Sequence, residues 1–95
     1  MKIADAIRTR HLLTFNYHDH YRVVEPHTYG KDQKGHTALR AYQTGGTSGS
    51  GRIPDFRIFH EAEITALSVS AQTFAGHRPG YVRGDPFFAT IHAQL

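Results

Sequence analysis

The sequence predicts a mainly-β fold: a small, strongly bent antiparallel barrel of five to six strands, preceded by one short N-terminal α-helix. Three observations lead there. Apolar residues alternate with polar ones over several short stretches, the period of a half-buried strand. Turn-forming residues interrupt these stretches about every ten residues, as in small all-β domains. Only the first ten residues carry the spacing of a helix. A chain of 95 residues holds one small domain, so the expected division is a helix over 1–11, a barrel over 12–74, and a C-terminal loop and strand over 75–95.

The helix is expected over 2–10, where Ile3, Ala6 and Ile7 fall on one stripe. Two turns do not hold themselves in water, so this stripe must dock on a sheet. Leu13, Phe15 and Tyr17 share one face of a first strand over 12–17. His18-Asp19-His20 forms a tight turn, and the β-branched run of 21–25 returns as a second strand that stops near Pro26. A polar loop over 30–36 leads to a third strand over 37–43, with Leu39 on one face and Arg40 and Tyr42 on the other. The glycine-rich 44–51 is a flexible loop, without the Lys-Ser/Thr ending of a phosphate-binding P-loop. Strands four and five are expected over 56–60 and 63–69, with Ile64, Ala66, Leu67 and Val69 completing the core. The phase of the fifth is ambiguous, which points to a bulge or to burial on both faces. Ile91, Ala93 and Leu95 alternate in a sixth strand.

Composition narrows the chemistry. Leu, Ile, Val and Phe make up 21 of 95 residues and aromatics 12%, enough for a folded, aromatic-rich core. There is no cysteine, so disulfides, thiolate metal sites and cysteine nucleophiles are excluded. No apolar run has the length of a membrane span or a signal peptide, and the expected address is the cytoplasm. The net charge of +3 sits entirely in residues 1–40, a balance compatible with an anionic partner.

The candidate binding residues are Arg22, Arg40, Tyr42, Arg57 and His60. Arginine beside an aromatic ring on a sheet face suits phosphate contact and base stacking. The competing reading of these residues is an exposed face with guanidinium stacked on aromatic. Eight histidines are present, but no His-x3-His pair, and the imidazoles of His18-Asp19-His20 are too close in a turn to converge on a metal. No metal site and no cofactor are expected. RPGYVRGD, residues 78–85, reads either as an anion-binding loop or as a structured connection in which Tyr81 plugs the barrel end and Arg83 pairs with Asp85. The serines lack a nucleophile-elbow context, so no catalysis is expected.

The ordered set IADAIRTRHLLTFNY, YRVVEP, ALRAY and FHEAEITALSVSAQTF, over residues 3–74, resembles the WYL domain of bacterial regulators and defence-associated proteins. The tail is similar to that of short, stand-alone relatives without a helix-turn-helix. The resemblance implies an Sm-like barrel related to SH3 domains, and a non-catalytic module that binds a nucleotide, an oligonucleotide or another anionic effector. Thr37 and Ala38 stand where the family has the Trp and Tyr of its name motif. His60, Ala62 and Glu63 replace its later Arg, Asp and Arg. A carboxylate at position 63 repels the phosphate that an arginine attracts. The alternative is a structural module that oligomerises through the edge of Ile91, Ala93 and Leu95, with Phe87 and Phe88 as anchors.

Overall fold

The computed structural model describes residues 2–49 and 51–95. Helix α1 (Lys2–Thr9) is followed by β1 (His11–Tyr17), β2 (His20–Asp32), β3 (Thr37–Gly46), β4 (Asp55–His60), a 3-10 turn (Glu61–Glu63), β5 (Thr65–Thr73) and β6 (Phe88–Gln94). Six antiparallel strands make one sheet in the order β4-β3-β2-β1-β5, with β6 pairing β2. The fold is mainly β, as expected. The hydrogen-bonded ladder of the described residues does not close into the expected barrel, because β4 and β5 are its two edges.

The sheet is nevertheless curled. Laid flat, β4 and β5 would lie about 19 Å apart at ~4.8 Å per strand. Residues 61–64 join them, a link that reaches about 17 Å only when fully extended, and three of its residues are wound in a turn. The curl shows in the side chains: Phe59 of β4 packs edge-on against Phe15 and Tyr17 of β1, both at 5.0 Å between ring centroids, across two intervening strands. The same inner face buries Leu13, Val24, Tyr29, Leu39 and Ala41. Helix α1 closes it with Ile3, Ala6 and Ile7, joined by Ala4.

The first hairpin forms where the sequence placed it. His18 and Asp19 both have positive φ (50° and 63°), the pattern of a two-residue turn that follows the strand twist. β2 does not stop at Pro26. It runs on to Asp32, because Pro26 lies at a register shift, a bulge that tolerates the missing N–H. One edge of β2 is thereby shared: His20–Val24 pair β1 and Thr28–Asp32 pair β6. β5 departs from expectation in another way. It is mostly exposed, with Ala66 and Val69 outside the core, while Leu67, and Ile64 just before the strand, pack against it. Two register shifts against β1 and a positive φ at Ala66 mark the bulges behind its ambiguous phase.

β6 turns part of its apolar side to the core and leaves Ile91 half-buried. Ala93 is buried and Leu95 packs against the core, while Phe88 is buried beside Phe87. No helix among the described residues is long and apolar enough to cross a membrane.

The approach of β6 to β2 requires Gly30. A Cβ there would meet the Thr90 carbonyl oxygen at 2.0 Å, and both atoms belong to a ladder that cannot give way. Gly30→Ala is therefore expected to destabilise the fold by about 1–3 kcal/mol, the range for overpacking, with faster amide exchange in 88–94 than in β1. Urea melts and hydrogen exchange check both.

Candidate functional site

The curl divides the predicted basic and aromatic set between two faces. β3 and β4 pair with Ala41 opposite Arg57 and Tyr42 opposite Phe56. Arg57 therefore faces inward, alongside Ala41 and Phe59. Arg22 joins that face from β2 and is 5% exposed. Arg22 donates to Gln43 Oε1 (3.2 Å) and to the Tyr17 carbonyl (3.0 Å), and its Nε has no hydrogen-bond partner among the described residues. Its guanidinium lies 5.7 Å from the ring centroids of both Tyr17 and Phe59. Burial, then the nearby Arg57 charge, pulls its pKa below the usual arginine value. Both arginines line a cleft of about 510 Å³ with Tyr17, His18, Arg52 and Phe56. Among the described residues, Asp55 is the one carboxylate lining it.

Arg40 and Tyr42 share a face, as their spacing predicts, but it is the outer one, and the segment 74–87 covers it. Arg40 Nε donates to Asp85 Oδ2 at 2.6 Å and its guanidinium lies 5.6 Å from the centroid of the Phe87 ring. Tyr42 meets Phe56 at 5.1 Å, and the Arg78 guanidinium lies 5.0 Å from its ring centroid. Arg78 grips Glu25 with two bonds of 2.8 Å, the bidentate geometry that makes such pairs strong. This corrects the expected Arg83–Asp85 pair. Asp85 is buried against Arg40, and Arg83 donates instead to the Leu95 carbonyl. Tyr81 sits on this outer cover, donating to the Leu95 carbonyl at 2.7 Å beside the His27 ring. The segment 78–85 is thus a structured connection whose arginines and carboxylate are engaged with the chain itself.

His60 belongs to a third place. It stands opposite Ala38 at the far end of the β3–β4 ladder, 5.9 Å between ring centroids from His36. Two clefts meet there, and the larger, about 640 Å³, runs along His36, His60 and the 3-10 turn. The turn histidines diverge: His18 stacks on Tyr17 and hydrogen-bonds Glu63 at 2.7 Å, while His20 hydrogen-bonds Thr47 at 2.9 Å. The His18 contact holds the Glu63 carboxyl below its ordinary pKa. Glu63 is thereby turned to His18 and Tyr17.

Sequence reasoning placed Arg22 and Arg57 in the site and missed Tyr17, which it read as core alone. The signal was the Arg22–Tyr17 proximity that any tight 18–19 hairpin creates. No protein-family model, curated protein or solved structure matches the chain.

The outer cover carries a pH-sensitive group. His27 is fully buried, its Nδ1 bonded to the Glu25 carbonyl at 2.8 Å and its Nε2 accepting the Arg78 backbone N–H at 3.0 Å. That assigns the neutral Nδ1–H tautomer. Burial lowers its pKa from the ordinary 6.5. The unfolded chain therefore takes up the proton first, so this group's stabilisation is full above pH ~6.5 and is lost as pH falls towards the folded value. Thermal melts from about pH 7.5 to 5.5 should show a steeper loss of Tm for the native chain than for His27→Gln.

Proposed function

We propose that this protein is a non-catalytic binding and regulatory module of the WYL kind, with an Sm-like curled sheet, and that it holds a phosphate-bearing ligand in the Arg22–Arg57 cleft. The ligand class is a nucleotide or the backbone of a short single-stranded nucleic acid. One observation carries the reading. Arg22 is buried, bonded among the described residues only to neutral acceptors, and sits within the field of a second guanidinium. Burying a charge without a carboxylate beside it is costly, and an anion shared with Arg57 offsets that cost with charge-assisted bonds. Tyr17 lines the same cleft, its ring beside the Arg22 guanidinium.

The family's resemblance supports the same class of ligand while this chain's geometry moves the residues. Arg40 and Tyr42 drop out because Asp85 and Arg78 occupy them, and His60 stands apart. Glu63 keeps its charge, but His18 and Tyr17 hold its carboxylate.

Fluorescence anisotropy with labelled single-stranded oligonucleotides and a labelled nucleoside triphosphate, between about 50 and 200 mM salt, tests this. Salt-sensitive binding is expected. Arg57→Ala should weaken it about tenfold or more and reduce the salt slope by about one. Arg40→Ala should leave the slope unchanged. Absence of binding at the lower salt, or loss with Arg40→Ala but not with Arg57→Ala, overturns the proposal.

A further inference from the structure

The hairpin turn between β2 and β3 brings together three side chains that the sequence keeps apart. Asp32 ends β2, His36 precedes β3, and His60 ends β4. One ligand atom from each lies within 4.8 Å of the others, the one such group among the described residues. We propose that Asp32, His36 and His60 form a binding site for a first-row divalent cation of the Zn²⁺ type.

The site has a built carboxylate. Asp32 is buried, and its Oδ1 accepts the backbone N–H groups of Lys34 and His36, both at 2.9 Å. Those two bonds fix the carboxylate plane and leave Oδ2 turned towards His36 Nδ1, 3.7 Å away. That separation is too long for a hydrogen bond and close to the spacing of two ligands on one ion. Outer bonds of this kind are what orient a metal-binding carboxylate. The backbone also fixes the loop, through Asp32 N–H to the His36 carbonyl at 2.9 Å and Gly35 N–H to the Asp32 carbonyl at 3.1 Å. His60 is set by its ladder position opposite Ala38, and its backbone N–H donates to the Tyr17 hydroxyl at 3.1 Å.

Tetrahedral ligands at about 2.0–2.1 Å from Zn²⁺ stand about 3.4 Å from one another. The gap from 4.8 Å closes by rotating side chains, and His36 is free to turn because its side chain is 65% exposed. Two imidazoles and one carboxylate suit Zn²⁺, Co²⁺ or Ni²⁺ better than Mg²⁺ or Ca²⁺, which prefer all-oxygen sets. Three protein ligands leave a fourth position for water or a ligand atom, and His36 and His60 line the cleft of about 640 Å³ beside it.

The test is calorimetric titration of metal-free protein with ZnSO₄, alongside Co²⁺ absorption spectra. The native chain is expected to bind one tight equivalent of Zn²⁺ and to give the intense visible bands of low-coordinate Co²⁺. His60→Ala, His36→Ala and Asp32→Asn should each weaken that equivalent about tenfold or more. Asp32→Asn keeps the Oδ1 acceptor and so preserves the turn, and circular dichroism confirms folding for each variant. His20→Ala should change nothing. Absence of a stoichiometric Zn²⁺ equivalent, or one that survives His36→Ala and His60→Ala, overturns the site and assigns any binding to scattered surface histidines.

Discussion

The link of residues 61–64 governs this molecule. It ties one edge of a five-strand run to the other, and a flat sheet does not allow so short a tie. Curling the sheet is the one way to satisfy it. The curl sets Phe59 on Phe15 and Tyr17 and so makes the aromatic heart of the core. It also carries Arg57, two residues from Phe59, onto the concave side where Arg22 already lies. The bulges at Thr44 of β3 and at His27 of β2 add to the bend, since an extra residue on one strand increases its local twist.

A sheet bent this far has an outer face that, among the described residues, no second layer of secondary structure covers. The irregular segment 74–87 covers it instead, held by ion pairs as well as by packing. Glu25 and Asp85 are buried carboxylates, each matched by an arginine at hydrogen-bond distance. Removing one member of such a pair leaves the other desolvated and unmatched. The two faces thus treat arginine in opposite ways. Arg40 and Arg78 meet carboxylates of the chain itself, whereas Arg22 meets a carbonyl, an amide oxygen and aromatic rings. That asymmetry, rather than the count of basic residues, separates a packing arginine from one suited to an outside anion.

Much of this was legible from residue patterns. Period-two alternation gave the inward residues of β1 and β3, and the apolar stripe of α1 gave its docked face. Alternation also put Arg40 and Tyr42 together correctly. What it could not give was the partner of that face, because Asp85 and Arg78 lie on a loop whose path is set by tertiary contacts. Pro26 misled for a related reason: a proline ends a regular strand but not a bulged one. Apolar residues in β5 read as core, yet an edge strand with bulges points part of them outward. Asp32 and His36 were visible as a pair four residues apart. Spacing of four is a ligand signal on a helix, and a tight β-hairpin brings such a pair together just as well.

Tyr17 joins the two clefts physically. Its ring stacks on His18 and packs beside the Arg22 guanidinium, while its hydroxyl accepts the His60 backbone N–H and donates, at 3.5 Å, to Glu63. Burial pushes its pKa up, so it stays a neutral phenol, able to accept from His60 and donate to Glu63 at once. A phenolate would lose the donated bond and face the Glu63 carboxylate as a like charge. The end of β4 is therefore anchored to β1 by a group that does not titrate near neutrality. One ring thus borders the arginine cleft and holds the backbone of the strand end that carries His60. The short link that forces the curl is also what brings Tyr17 within reach of both.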